Sequence, residues 1–430
     1  MLALLAPLAL ADEYRVSPDG VVVRVSPSPS AGLRGATAPG ASFRVLGAAS
    51  GSGCAAGWAE VEAGGYVCLD GTVVTDVVPE PQPVVVNWDP PDPAEYATYV
   101  ATGRYHERHD EFLVPGIYAR RYKRFDGRLY ADADAYARGD EPVGQLSREI
   151  GAKERFVAVV DTERGPVLVR GDGQVAALDD VYLYPVSRLQ GVDLEESPLP
   201  DGRWPAFAIG YAGSPVRAAP DPKARLVGRI PYHTPLQISS TPASEDGRWW
   251  EVVDGDLRGF VDDENGLRHP VPSPSRPAGI GDDELWVDID VGQQVLMVFR
   301  GDHLVYFTLV STGVATRPTP KGTFHLIQED ALKDMKSRPD SADWYEVQDV
   351  PWAMTFRRYY MLHTAYWHWG FGRPASHGCV NLAPRDAAWL FARLPPGLPD
   401  GWITIYARSS DDPATVRVRR GDQLDGPDEP

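Results

Sequence analysis

A hydroxyl, an imidazole, a glycine and a thiol stand within six residues at Ser376-His377-Gly378-Cys379-Val380-Asn381, and His363 lies a short way upstream. Thiolate chemistry needs a nucleophile, a base within hydrogen-bond reach and donors for a developing oxyanion, and these residue types supply all three. A free cysteine is often only a small core residue. Here a glycine directly before it and a histidine two positions before it favour the nucleophile instead. A thiol of ordinary pKa is a few per cent ionised at neutral pH, so an imidazole must withdraw its proton, and His363 is the candidate base. Gly378 permits close backbone approach to a substrate.

The elements that must position these groups read as β. Leu285-Trp286-Val287-Asp288-Ile289 alternates as a half-buried strand should, and Val295 to Phe299 and Leu304 to Val310 flank a Gly301-Asp302 turn. Tyr359 to Thr364 is a strand that carries His363 at its end. Beyond the cysteine, Pro384 suits a first helical position and Asp386 the positive end of a helix, while Trp389, Leu390 and Phe391 mark its packing side. Pro395-Pro396-Gly397 stops this helix, and Trp402 to Tyr406 returns as a strand. Gln328 to Val350 is long, polar and charged, which reads as a lid or a disordered insertion.

At 430 residues the chain should divide into about three or four domains. Gly and Pro make up close to a fifth of it, against roughly 12% in ordinary proteins, which favours short strands and tight turns over long helices. A formal charge of −18 excludes nucleic acid as a natural partner. The apolar run from Met1 to Ala11, ending Ala9-Leu10-Ala11, reads as a signal peptide and points to an exported, periplasmic or cell-wall-associated protein. No later stretch approaches the ~20 apolar residues of a membrane span. Cys54 and Cys68 bracket a loop-rich segment and are expected to pair, a closure that stabilises by roughly 3 kcal/mol in the chain-entropy model. Cys379 is then the odd thiol, and no cysteine or histidine spacing suggests a metal site.

Two blocks share one rhythm of strand, Pro-rich turn, strand, a glycine leading into Trp-x-x-Val and a final glycine-aromatic-valine. The first runs from Val21 to Cys68 and the second from Pro215 to Val261. This pattern resembles the bacterial SH3-like domain. Residues 119–190 resemble a degenerate third copy without the tryptophan. If the rings of Trp58, Trp249 or Trp250 face outward, they offer a stacking surface for wall glycan.

His363-Thr364-Ala365-Tyr366-Trp367-His368, Phe371-Gly372 and the Ser376–Asn381 stretch together resemble the signature of the L,D-transpeptidase catalytic domain. Ser311-Thr312-Gly313 and Thr319-Pro320-Lys321-Gly322-Thr323-Phe324 are similar to the family's upstream pattern. The resemblance implies a β-sandwich with one short helix and no cofactor or metal. It implies that Cys379 attacks the carbonyl of the L-centre of a diamino acid in a peptidoglycan stem tetrapeptide. D-Ala leaves, and an amine of a second stem resolves the thioester. His363 corresponds to the base, oriented by Thr364. Gly378, Ser376, His377 and Asn381 correspond to the oxyanion and backbone support. Arg373, Tyr366, Trp367 and His368 are candidate substrate-binding residues. Twelve residues separate His363 from Ser376, a short spacing that leaves open a share of the base role for His368 or His377.

The chain thus reads as mainly β: signal peptide 1–11, SH3-like domain 12–78, Pro-rich linker 79–118, degenerate SH3-like domain 119–190, SH3-like domain 203–268, linker 269–282, catalytic domain 283–408 and disordered tail 409–430. The expected partners are donor and acceptor stem peptides, with wall glycan on the SH3-like domains. An L,D-carboxypeptidase, a wall cysteine endopeptidase and a non-enzymatic wall scaffold are the alternatives. Papain-like chains place Cys before His, the reverse of the order here, which weighs against the endopeptidase.

Overall fold

The computed structural model describes residues 13–83, 114–147, 152–184, 186–264, 266–272, 275–337 and 344–421. The expected signal peptide, the middle of the Pro-rich linker and the last residues of the tail lie outside them. The described chain is mainly β, as its alternating patterns and turn residues require.

The region expected to be catalytic is two sheets face to face. One runs in the order Val192–Asp193, His303–Leu309, Val295–Arg300, Leu285–Asp290, Thr415–Arg419, Gly322–His325. The other contains the long antiparallel pair Gln328–Lys336 and Glu346–Arg357, then Tyr360–Thr364, which pairs in parallel with Val380–Leu382. Val287, Ile289, Leu296 and Val298 from the first sheet meet Val350, Met354, Leu362, Val380 and Leu382 from the second in a single buried core. Gly301 makes the expected turn, with the Trp286 indole N–H donating to its carbonyl at 2.8 Å.

Several expectations need correction. The described parts of the charged 328–350 segment are not a lid or an insertion but strands, Gln328–Lys336 and the start of Glu346–Arg357. Ala331, Met335, Val347 and Val350 are buried on them, and their charges sit at the strand margins or pair locally, as Lys333 does with Asp330 at 3.0 Å. The tail is not disordered throughout, because Thr415–Arg419 is a fully buried strand held by charge. Arg417 and Arg419 both bond the Asp288 carboxylate, and Arg419 also reaches Asp290 at 3.0 Å. The linker expected to run to 118 ends earlier, since Ile117–Arg121 is already a strand. A second helix, Ala133–Arg138, lies outside the catalytic region, with the Asp132 carboxylate accepting from the Ala135 N–H at 2.7 Å.

The Cys54–Cys68 bond is present, with Cα atoms 5.6 Å apart. Residues 13–75 form an antiparallel array around Val23, Phe43, Val61 and Val67, and residues 203–268 form another around Val216, Ile238, Trp250 and Val261. Trp58, Trp249 and Trp250 are each at most 6% exposed, so they fill cores and offer no outward stacking face. The N-terminal array is not separate from the catalytic region. Leu33–Thr37 pairs antiparallel with Trp402–Tyr406, placing Gly35 opposite Ile405. A side chain at Gly35 would start 2.3 Å from the Thr404 carbonyl, so only glycine fits there. Buried Arg34 joins the same seam by donating to the Ala63 carbonyl at 2.9 Å and to Asp411 at 2.8 Å.

Glu329 lies on this shared sheet, fully buried beside Asp330. Burial outweighs a backbone contact from Gly397 and, with Asp330 adding to it, pushes the carboxyl up to about 8. Its folded pKa is therefore above the unfolded value, so its contribution to stability is full below about pH 4 and is lost as pH rises toward 8. Glu329→Gln should raise the unfolding free energy at pH 8 by on the order of a few kcal/mol and leave it nearly unchanged at pH 4, as measured by denaturant titration at both pH values.

Candidate active site

The parallel register that sets Leu362 against Val380 and His363 against Asn381 fixes the site. Leu362 and Val380 point into the core. Side chains alternate along a strand, so His363, Asn381 and Cys379 project together from the opposite face. Cys379 is the one free cysteine among the described residues and is partly exposed.

His363 is buried, and its Nδ1 lies 2.8 Å from the Thr364 carbonyl. That carbonyl can only accept, so Nδ1 carries the hydrogen and Nε2 is left with its lone pair. Burial, only partly offset by this bond, pushes the ring down to about 4. The Thr364 backbone, not its hydroxyl, is what orients the ring. Cys379 Sγ donates to the Tyr359 carbonyl at 3.7 Å, and burial pushes the thiol up to about 11 despite a backbone contact from Met361. The resting pair is thus neutral thiol and neutral imidazole.

Ser376 braces the loop from both sides, accepting from the Gly378 N–H at 3.0 Å and donating to the Cys379 carbonyl. The Gly378 N–H is therefore engaged by Ser376 and does not point at a substrate, a correction to its expected part in the oxyanion hole. Its carbonyl accepts from Thr319 at 2.8 Å, and the same hydroxyl accepts from the Gly313 N–H at 2.9 Å. The Ser311–Gly313 and Thr319 stretches are thereby tied to the cysteine loop, with isolated bridges joining Ser311 to Asn381 and Gly313 to Ser376.

His368 is tied to the cysteine strand through Asn381. Its Nε2 accepts from the Asn381 amide at 2.9 Å, and burial, then the charges of His363, His233 and Lys153, push it down to about 4. His377 is exposed, its ring 5.4 Å from that of Tyr345. Trp367 is half-buried with its ring 5.8 Å from that of His363. Tyr366 is fully buried and stacks on Tyr118 at 3.7 Å, so it is core and not wall. Arg373 donates to the Ile209 carbonyl at 3.1 Å and lies over the Tyr211 ring, which places it at the seam with the 203–268 array.

Two residues near the thiol carried no recognisable signal in the sequence. Tyr359 holds a left-handed backbone, φ 70°, in the turn that aims its carbonyl at Cys379. Tyr345 lies just before the Glu346–Arg357 strand, and burial, with the Cys379 charge adding to it, raises its pKa.

Residues 284–405 match the family model of the L,D-transpeptidase catalytic domain, YkuD. That segment belongs to this family. A putative L,D-transpeptidase of Bacillus subtilis, YciB, is 24% identical over 153 residues, covering 29% of this chain and 68% of the relative. L,D-transpeptidase 1 of Mycobacterium tuberculosis is 30% identical over 122 residues, covering 25% of this chain and 46% of the relative, so the chain spans about half of that protein. Among solved structures, an L,D-transpeptidase from Mycobacterium smegmatis shares 16% identity, with 55% of this chain and 93% of that one covered and a TM-score of 0.26. The matched segment holds Cys379, His363 and the residues that hydrogen-bond them, and its sheet is extended on both sides by strands from outside it.

Gly378 has φ +116°, and a Cβ there would lie 2.7 Å from the Tyr360 ring. Gly378→Ala should cost about 1–2 kcal/mol of stability and displace the loop carrying Cys379. Thiol-directed acylation should fall roughly a hundredfold or more, while melting still gives one cooperative transition.

Proposed function

We propose that this chain is an exported peptidoglycan L,D-transpeptidase in which Cys379 is the nucleophile and His363 the general base. The supporting observation is their common projection from adjacent parallel strands, with His363 held neutral through the Thr364 carbonyl. Cys379 Sγ attacks the L-centre carbonyl of the stem tetrapeptide as its proton passes to His363 Nε2. The tetrahedral intermediate collapses, the C–N bond to D-Ala breaks, and the imidazolium returns the proton to the departing amine. An acceptor amine then attacks the thioester, losing its proton through the same imidazole, and the thiol is regenerated.

Because both resting groups are neutral, proton transfer accompanies attack, and no stored thiolate–imidazolium pair precedes it. Alkylation of Cys379 by iodoacetamide, followed by mass spectrometry, should accordingly keep rising through pH 9 to 11. A plateau below pH 7 would show a preformed ion pair and remove this account of the base.

In this reading the 13–75 and 203–268 arrays are SH3-like modules that position the catalytic domain by direct packing. No helix among the described residues is long and apolar enough to cross a membrane. The decisive experiment incubates the protein with a disaccharide-tetrapeptide and follows products by mass spectrometry. Loss of D-Ala with a crosslinked dimer is expected, and tripeptide alone would mark a carboxypeptidase. Cys379→Ala should lower turnover at least 10³-fold, in line with removal of other catalytic nucleophiles. If no acyl-enzyme forms from the tetrapeptide or from a carbapenem, the transpeptidase reading fails.

A further inference from the structure

The loop from His368 to Ser376 joins the strand that carries His363 to the cysteine, and two parts of the molecule hold it. On the inner side the Ser311 hydroxyl donates to the Gly370 carbonyl at 3.3 Å, and the Gly372 N–H donates to the Val310 carbonyl at 2.9 Å. On the outer side the 203–268 array grips the carbonyls between and beyond. His233 Nε2 lies 3.1 Å from the Phe371 carbonyl, and the Tyr232 hydroxyl donates to the same oxygen at 3.3 Å. Arg268 Nε donates to the Gly372 carbonyl at 3.2 Å. The Phe371 carbonyl can only accept, so His233 Nε2 carries the hydrogen. Burial, partly offset by this bond, pushes the His233 ring down to about 4 and keeps it neutral.

The two arrays build the turn that bears this histidine in the same way. Between Leu33–Thr37 and Ser42–Ala49 the Ala41 N–H closes on the Ala38 carbonyl. Between Leu226–Ile230 and Pro235–Ser239 the Thr234 N–H closes on the Pro231 carbonyl. The third residue of each turn donates its N–H back to the array, Gly40 to Ser17 at 2.9 Å and His233 to Ala208 at 2.8 Å. Both have a left-handed backbone, φ 73° at Gly40 and φ 63° at His233. Glycine adopts it freely, whereas an L side chain does so at a cost. Gly40 is exposed, and a Cβ there would meet nothing within 4 Å. The array that abuts the loop thus carries, at the matching place, a costlier residue whose ring bonds the Phe371 carbonyl.

Phe371 is itself buried, with its ring 4.8 Å from that of His368. His368 Nε2 accepts from the Asn381 amide, and Asn381 stands opposite His363 in the parallel pair. We propose that His233 is a positioning residue for the acyl transfer, holding Phe371 and, through it, holding His368 on Asn381 beside Cys379 and His363. The 203–268 array is then a working part of the catalytic device. The proposal rests on the transpeptidase reading for the reaction, but its geometric half, the hold on His368, is independent of any substrate.

The test uses the full chain with His233→Gly, which copies the turn of the other array, and with His233→Gln, whose amide N–H has a reach similar to that of Nε2. Single-turnover acylation of Cys379 by a disaccharide-tetrapeptide is followed by mass spectrometry over a range of donor concentrations. At saturating donor the rate should fall about tenfold in His233→Gly, with half-saturation within about twofold, and His233→Gln should recover to within about threefold. Histidine-selective 15N spectra supply the second readout. The parent chain should show His368 with its hydrogen on Nδ1, because Nε2 accepts from Asn381, and His233→Gly should give a mixture of tautomers that His233→Gln restores. An unchanged saturating rate, a loss that glutamine does not repair, or one His368 signal in all three proteins overturns the proposal. Melting curves check folding, and if His233→Gly melts early, His233→Asn takes its place, since Asn also suits a left-handed backbone and has the shorter reach. If the parent chain is not acylated at all, the transpeptidase reading fails, and the His368 spectra alone decide the part of His233.

Discussion

The two-strand parallel pairing of Tyr360–Thr364 with Val380–Leu382 is the constraint from which the site follows. Its register decides which side chains share a face, and a slip by one residue would send His363 or Cys379 into the core. Leu362, Val380 and Leu382 are wholly buried, so hydrophobic burial enforces the register. The polar ties from Thr319, Ser376 and Gln294 hold the loops on either side, Gln294 by bonding both the Thr312 hydroxyl and its backbone N–H. The chemistry is therefore held by apolar packing below and by a hydrogen-bonded rim above.

A second level of organisation is the continuous sheet that crosses what the sequence divides into domains. Trp402–Tyr406 is bordered by Gln328–Lys336 on one side and by Leu33–Thr37 on the other. Its Trp402 and Ile405 belong to the core of the N-terminal array. The far end of the same sheet accepts Ala152–Phe156. The modules around the catalytic region act as structural neighbours that share hydrogen-bond ladders with it, which differs from beads on a flexible tether.

What was legible in the sequence was local. The Cys54–Cys68 pair, the Gly301-Asp302 turn, the helix beginning at Pro384 and the placement of His363 near a strand end all rest on contacts between residues close in the chain. Asp386 shows where such reasoning stops. It sits in the first turn of its helix as expected, yet its main partners are Tyr306, Thr308 and the Gly191 N–H, which only the fold brings to it. The polar 409–421 stretch reads as a tail because its charges are neutralised by distant partners, as Arg417 and Arg419 are by Asp288 and Asp290, whereas 328–350 sets its buried Ala331, Met335, Val347 and Val350 among charges paired within the segment itself. Tyr366 reads as a substrate-binding candidate in the sequence because the aromatic neighbour that buries it, Tyr118, lies in another module.

The strand Thr415–Arg419 lies between Leu285–Asp290 and Gly322–His325, in the interior of its sheet. Its ladder joins residues well over a hundred positions apart, and without it two strands would each expose an edge. The catalytic sheet consequently cannot close while the chain is still being made, and remains incomplete until residue 419 is available. Such late, non-local closure is slow. Val416 and Val418 of this strand pack in the same core as Leu362 and Val380, so the apolar floor beneath Cys379 is complete only when the chain's last described strand is in place.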